Sequence, residues 1–502
     1  MNMDIINGLE PASFWKHFYN LTRIPRESGN EAGVRKYAAD FAEAQGLEYK
    51  IDAIGNILIR RPAAPGRENS PSVVLQGHMD MVCEKNRDKV HDFAKDPIAL
   101  VIEDGWLKAD GTTLGADNGV AVAAGLAVLE ADESFGQVEV LLTVDEETGL
   151  TGAMELDPAI VESRILINLD SEEDGVVYVG CAGGKNTEGY LPVAFDAIPA
   201  GYKAYSIELK GLHGGHSGGE IHIGYGNALT LGSRFLWKAA EKFDTRIAFL
   251  EGGGKHNAIP REFFATVFVK DADADAFQAY ADEFATVIKS ELGMIEPELS
   301  FNVAAGESPA AIGQAESVYS AQTQKRILDL VYSTPHGVIK MSRVIDDLVE
   351  TSTNLARIEL LKDGKGVEGS NTSGKTEFFV LNCHRSSVDS ECDDIADRVR
   401  AMISAAGGRH EFKHDYPGWD PNPESEILKT ARKAYSALFG NEPEIKAIHA
   451  GLECGVIGKK FDSIDMVSFG PELADVHTPG EKMKIDSVEK TWKLLVEILR
   501  IV

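Results

Sequence analysis

The chain has 502 residues, more than one compact core usually holds, so two or three domains are expected. A composition of 43% hydrophobic and 26% charged residues is that of an ordinary globular protein. Its 79 acidic residues against 50 basic ones, a formal charge of −29, argue against a nucleic-acid partner, which needs a basic footprint to neutralise phosphates.

In chain order, residues 12–48 are predicted helical, with AGVRKYAADFAEAQG carrying apolar residues at helical spacing before a glycine stop. Short apolar strands follow: NILIR (56–60), SVVLQGH (72–78), VEVLLTV (138–144) and RILINLD (164–170). Between the second and third lies DNGVAVAAGLAVLEAD (117–132), a small-residue helix suited to packing on a sheet. Strands that are apolar throughout and alternate with helices indicate an α/β domain, its largely parallel sheet covered on both faces.

After GCAGG (180–184) the texture becomes strand, helix, strand, helix, in YKAYSIELKG, YGNALTLGSRFLWKAAEKF, NAIPREFFATVFVK and DAFQAYADEFATVIKSELG. A weaker echo in TSTNLARIELLKD, KTEFFVLNCHRSS and DDIADRVRAMISAAG suggests a duplicated α+β unit of βαββαβ type. From about YPGWDPNPES the first texture returns, and the prolines of DPNPES mark a crossing point. The expected organisation is a discontinuous domain, residues 1–184 with 417–502, around an inserted domain, residues 185–416.

No window approaches the ~20 consecutive apolar residues of a membrane span. The start MNMDIINGLEPASFW lacks the pattern of a secretory signal. Cys83, Cys181, Cys383, Cys392 and Cys454 are scattered with no CxxC pair, which reads as free thiols in a reducing compartment. A cytoplasmic location is expected, with neither membrane nor nucleic acid as partner.

Several strands end in metal-ligand residue types. His78 closes SVVLQGH, with Asp80 two residues on, and Asp117 opens a helix in TTLGADNGV. Asp145, Glu146 and Glu147 close VEVLLTVDEE, Asp170 closes RILINLD, and His477 lies beyond DSIDMVSFG in ELADVHTPGE. Each has an ordinary explanation taken alone. A strand-end histidine is usually solvated or satisfied in the core, EE before a helix is favourable charge at its N-terminus, and LGADNG reads as a helix cap. Their joint occurrence at carboxyl ends of strands, where open α/β sheets bind ligands, points to metal. Imidazole plus carboxylate without thiolate suits zinc, manganese or cobalt. Two histidines with three carboxylates exceed the needs of one zinc and fit two cations sharing a bridging carboxylate. With a bridging hydroxide the formal charges of such a cluster cancel.

GHMD, LGADNG, DEETGLTGA, INLDSEE and the distal His477 resemble, in order and position, the metal motifs of the di-zinc aminoacylase and carboxypeptidase family of peptidases. TTLGADNG, GLHGGHSGGEIH, NAIPRE, YPGW and IHAGLECG are similar to the cytosolic aminoacyl-histidine dipeptidases, bacterial enzymes that split Xaa-His dipeptides including carnosine. The likeness runs over essentially the whole chain. It implies a discontinuous α/β di-zinc peptidase domain with an inserted α+β lid. It also implies two divalent ions per chain, zinc with cobalt or manganese as substitutes. By position, Asp117 would bridge, His78 and Asp170 would complete one metal, and Glu147 and His477 the other.

Asp80 would then stand behind His78; their spacing puts both on one strand face, so Asp80 can accept the imidazole N–H and orient the ring. Adjacent side chains on an extended segment diverge, so of Glu146 and Glu147 one binds metal while the other faces the cleft. Spacing does not say which. The resemblance makes Glu146 the general base, with Asp145 its local competitor. His216 in GLHGGHSGGEIHIG matches the family's lid histidine, which stabilises the oxyanion, whereas His213 and His222 read as solvated. Asn257 in HNAIPRE and Arg385 in NCHRSS match positions that hold the substrate's carboxylate region, a task suited to arginine's planar fork. Gly451 in HAGLECG matches a backbone contact to substrate.

The implied reaction is hydrolysis of dipeptides, Xaa-His foremost, by a metal-bridged water with Glu146 as base. A homodimer is implied as well. The alternatives are a related aminoacylase, tripeptidase or deacetylase or, in a different class, a non-catalytic metal-binding protein on this fold. That last reading predicts loss of base or lid residues, yet Glu146, Asp80, His216 and Arg385 are all present.

Overall fold

The computed structural model describes residues 3–306, 315–361 and 376–502. The chain forms two compact units, Met1–Cys181 with Trp419–Val502, and Ala182–Gly418.

The first unit opens with helices α1 (Ala12–Leu21) and α2 (Ala32–Gln45). The sequence pattern predicts helix throughout 12–48, but the chain leaves α1 at Leu21 and runs irregularly to Glu31. Pro25 cannot donate to a helical ladder and biases its neighbour away from it, and Gly29 has a φ of 81°. Arg26 lies in that break. The elements β1 (Glu48–Ile51), β2 (Ile57–Arg61), β3 (Val73–His78), α3 (Ala116–Glu130), β4 (Val138–Thr143), β5 (Ile165–Asn168) and β6 (Val176–Cys181) follow.

The second unit contributes β7 (Gly183–Pro192), β8 (Tyr202–Lys210), α4 (Ala228–Phe243), β9 (Arg246–Gly253), β10 (Phe263–Lys270), α5 (Ala274–Leu292) and β11 (Ser300–Ala305). It continues with α6 (Ala321–Ser333), β12 (Val349–Leu361), β13 (Glu377–Ser386), α7 (Asp389–Ala405) and β14 (Arg409–Tyr416). The chain then returns to the first unit as α8 (Glu426–Phe439), β15 (Glu444–Ile448), β16 (Asp465–Ser468) and α9 (Ile485–Ile501). Exit and return lie side by side: Cys181 and Trp419 exchange both backbone hydrogen bonds, each 3.0 Å.

The first unit's sheet runs β1-β2-β4-β3-β5-β16-β6-β15. Its centre is parallel, with β3 aligned to β4 and β5, and β16 to β5, while β1 and β2 form an antiparallel edge. Every residue of β3 and β4 is buried, as a sheet covered on both faces requires. Helix α3 approaches closely because its residues are small: a Cβ on Gly125 would sit 2.7 Å from Val140.

The second unit's sheet is antiparallel, in the order β11-β8-β10-β9-β12-β13-β7-β14, with a further strand at Gly337–Met341 on β12. Read inward from each edge, β11-β8-β10-β9 matches β14-β7-β13-β12. Each half is a βαββαβ unit, the first lying in the connection between β7 and α6. Four strands of these two halves are missing from the sequence reading, β7, β9, β11 and β14, and β9, RIAFLEGG, has a local cause. A bulge between Ile247 and Phe249 breaks its alternation, which hides it from a period-two pattern.

Candidate metal centre

The strand end that opens the site is shaped by Gly77. A Cβ there would meet Ala121 at 2.1 Å and Asn118 Oδ1 at 2.2 Å, so only a hydrogen lets α3 come this close to β3. Asn118 uses the proximity. Its Oδ1 accepts the His78 backbone N–H at 3.2 Å, and its Nδ2 donates to the Leu169 carbonyl at 3.0 Å. One amide thus ties together the ends of β3 and β5 and the start of α3.

Five ligand-type side chains converge on these ends. His78 is buried, and its Nε2 lies 3.0 Å from Asp117 Oδ1 and 3.5 Å from Asp170 Oδ1. Asp117 Oδ2 lies 3.0 Å from His477 Nε2, which is in turn 3.1 Å from Glu147 Oε2. Asp117 therefore turns one oxygen to a His78–Asp170 pair and the other to a His477–Glu147 pair. Separations of this size between donor atoms are those expected of ligands sharing an ion at bonds of about 2.0–2.2 Å. Glu147 Oε1 is buried with no hydrogen-bond partner among the described residues, an arrangement that suits a cation.

The electrostatics agree. Burial would lower His78, but Asp170, Asp117 and Asp80 outweigh it and hold it well above an ordinary imidazole. Hydrogen bonds to Asp117 and Glu147 push His477 up to about 11. Burial, aided by neighbouring carboxylates, lifts Asp170 to about 7 and Glu172 to about 8, and lifts Glu146 well above the usual range. A cleft that forces protons onto its acids carries more negative charge than its side chains balance. Divalent cations reverse that logic.

Asp80 accepts from His78 Nδ1 at 3.1 Å, from Ser28 Oγ at 2.7 Å, and from the backbone N–H groups of Glu146 (3.1 Å) and Glu147 (3.2 Å). It thus holds both the imidazole and the two glutamates. Burial alone would raise its pKa, but His78 prevails and holds it at about 2. Asp145, at φ 51°, is engaged within its own loop, with Asp80 and Glu31 close by. Its two oxygens accept from Thr148 Oγ1, at 2.6 Å, and from Thr151 Oγ1.

Two supports are absent from the sequence reading. Arg26 donates Nη1 to the carbonyls of Met79 (3.1 Å) and Asp80 (2.7 Å), and Nη2 to that of Gly115. Glu481 receives four consecutive backbone N–H groups, Leu114 through Asp117, at 2.7, 3.0, 2.7 and 3.3 Å. Both act on main chain, so no pairing of residue types announces them. The one available signal for Glu481 is its place four residues after His477.

Gly451 also lies in the first unit, between β15 and the short helix Glu453–Gly458. The remaining candidates lie in the second unit. His216 Nδ1 accepts the N–H groups of Gly218 (3.3 Å) and Gly219 (3.0 Å), which leaves the ring proton on Nε2. That nitrogen is 3.5 Å from Arg385 Nη2, so two donors converge. Arg385 Nη1 donates to Tyr416 Oη at 3.2 Å, and its buried Nε has no hydrogen-bond partner among the described residues. Asn257 accepts the Ser217 N–H at its backbone carbonyl, 2.8 Å, which places it beside His216. His256, which no motif singled out, stacks on His414 at 5.2 Å. Burial, with His414 and Arg385, pushes it down to about 4. His213 stacks on Tyr225, and both His213 and His222 are exposed.

Comparison with known proteins gives this geometry a family. The cytosol non-specific dipeptidase of Escherichia coli is 41% identical over 500 residues, 99% of each chain. The crystal structure of an aminoacylhistidine dipeptidase from Vibrio alginolyticus superposes with a TM-score of 0.86 at 39% identity, covering 100% of this chain and 98% of that one. An aminopeptidase from Bacillus cereus shares the fold at 17% identity, TM-score 0.58, over 98% of both chains. Residues 74–501 match the model of Peptidase family M20/M25/M40. The chain is a member of that family of metallopeptidases.

Proposed function

We propose that the protein is a metal-dependent dipeptidase that hydrolyses dipeptides, those ending in histidine among them, at a centre holding two zinc ions. The observation that carries this reading is the two-sided Asp117, each oxygen turned to its own imidazole–carboxylate pair. Asp117 would be shared between the ions, His78 and Asp170 would hold one, and Glu147 and His477 the other, with cobalt or manganese as substitutes. The cations supply Lewis acidity when bound, lowering the pKa of water toward ~7 and polarising the scissile carbonyl.

The chain's own groups do the rest. Glu146 takes a proton from the attacking water and passes it to the leaving amine. Asp80 keeps the proton on His78 Nδ1 and so presents Nε2 as a ligand. In the second unit, His216 offers Nε2–H to the developing oxyanion, while Arg385 and Asn257 hold the substrate's carboxylate region. Gly451 contributes a backbone contact to substrate.

The names of the Escherichia coli and Vibrio relatives support dipeptides over acylated amino acids, and the Vibrio name supports Xaa-His. The Escherichia coli name favours a second, broader reading in which the C-terminal residue is not restricted to histidine. The same reading places the protein in the cytoplasm as a homodimer. The test is metal analysis with a panel of Ala-His, Ala-Ala, a tripeptide and an N-acetyl amino acid, before and after chelation. Two metals per chain and Ala-His cleavage, abolished by chelation and restored by zinc, are expected. Faster turnover of the tripeptide or the acylated amino acid would transfer the protein to the rival activities.

A further inference from the structure

Beneath the ligands, the strand ends are joined by a second layer of polar side chains. Gln76 lies two residues before His78 on β3, Thr143 closes β4 three residues before Glu146, and Asn168 closes β5 two residues before Asp170. All three are buried, and they are linked through Glu453. Glu453 Oε2 accepts from Gln76 Nε2 at 2.5 Å and from Thr143 Oγ1 at 2.7 Å. Gln76 Oε1 accepts from Asn168 Nδ2 at 2.7 Å, and Asn168 Oδ1 accepts the Asp170 backbone N–H at 3.1 Å. The chain of bonds therefore runs from Glu453 to the backbone of Asp170 and passes beneath His78.

The state of Glu453 follows from what surrounds it. Its side chain is 0% exposed, and its two donors are a neutral amide and a neutral hydroxyl. Its other oxygen, Oε1, is buried with no hydrogen-bond partner among the described residues. No basic side chain forms an ion pair with it among those residues. An ionised carboxylate here would leave a buried oxygen, Oε1, with no hydrogen-bond donor among the described residues. We propose that Glu453 is a positioning residue, carried as the neutral acid, that fixes the ends of β3 and β4 through Gln76 and Thr143. It thereby sets the spacing of His78 from Glu146 and Glu147. Burial raises its pKa to about 7 against the opposing pull of His78, Thr143 and Gln76.

The proposal rests on the metal-centre reading, and on dipeptidase activity for one of its readouts only. Zinc affinity of the intact protein, measured by calorimetry without substrate, is the primary test. E453Q, a neutral isostere, should keep affinity and kcat within about 3-fold of wild type. E453A should lower zinc affinity roughly 10–100-fold, the usual cost of losing a group behind a ligand. Its kcat on Ala-His should fall in step while KM stays nearly constant, and an unchanged urea midpoint of the zinc-free protein separates this from a loosened fold. Wild-type zinc affinity in E453A overturns the proposal, as does E453Q behaving as badly as E453A, which would show that the charge is needed. Should E453A fail to fold, T143V decides, since it removes one donor and leaves the carboxyl in place. A several-fold loss of zinc affinity in T143V supports the proposal and an unchanged affinity overturns it. If wild type binds zinc but does not cleave Ala-His, the dipeptidase reading fails and the zinc comparison still stands.

Discussion

The first unit gathers Asp117, Glu146, Glu147, Asp170 and Glu172 with two imidazoles at the ends of strands that run the same way. The second sets Arg385 on an antiparallel strand against His216 in a loop, with His256 and His414 stacked nearby. One group is short of positive charge, the other short of negative. Parallel strands deliver successive loops to one edge, so a single sheet edge can bring His78, Glu147 and Asp170 together from distant stretches of chain. Antiparallel strands send neighbouring ends opposite ways, so the second unit builds its donor pair from one strand residue and one glycine-rich turn.

The comparison can be broken most sharply at Glu146. Replacing it with Gln leaves the ligands in place and should lower kcat roughly 10²–10⁴-fold with metal content unchanged. Parallel metal analysis and steady-state kinetics check this. In the second unit, R385A should raise KM for Ala-His on the order of 10²-fold with a smaller change in kcat, because a desolvated charge pair is lost. R385K, which keeps the charge but not the fork, should fall between R385A and wild type. Next in size, D80N should weaken zinc binding roughly 10–100-fold, since it disturbs His78 and the Glu146–Glu147 backbone together. Competition with a chromophoric chelator measures it.

The gentlest effect is a difference in acid stability. His384 of the second unit is fully buried between Thr187 and Thr353, and burial, with Lys185, pushes it down to about 3. An unfolded histidine titrates near ~6.5. Below that pH the unfolded chain takes a proton that the folded form refuses. The contribution is therefore complete above ~6.5 and lost progressively as pH falls toward the folded value, at no more than about 1.4 kcal/mol per pH unit. Asp80 in the metal-free first unit behaves differently: depressed from 3.8 to about 2, it gives up stability only as pH falls through that lower window. Urea midpoints at pH 7 and 5 for wild type and H384Q should show a wild-type loss that the variant lacks.

The candidate metal residues were legible because their type contradicts their place: an imidazole or carboxylate ending an apolar strand demands a reason. The parallel sheet was legible for a related reason, since Val73–Leu75 in β3 and Val140–Leu142 in β4 are unbroken apolar runs, which a sheet covered on both faces favours. Arg26 and Glu481 were not legible. Their partners are carbonyl and N–H groups 89 and 366 residues away along the chain, and main-chain groups leave no signature in the letters. The break between α1 and α2 is written in Pro25 and Gly29 of RIPRESGN, and reading the helical spacing on either side as one run passes over it. Glu453 was hidden for another reason: a buried carboxyl within HAGLECG looks no different from an exposed one until its exposure is known.

Cys181 and Trp419, paired through two main-chain bonds, give the molecule a modular character. To the first unit, everything between these two residues is one very long turn joining neighbouring positions. The entropy of closing such a turn grows only with the logarithm of its length. The intervening cassette can therefore lengthen, shorten or be exchanged at little cost to its host, provided the clasp at its base is kept. Selection can then retune what is recognised while the reactive end of the sheet stays as it is.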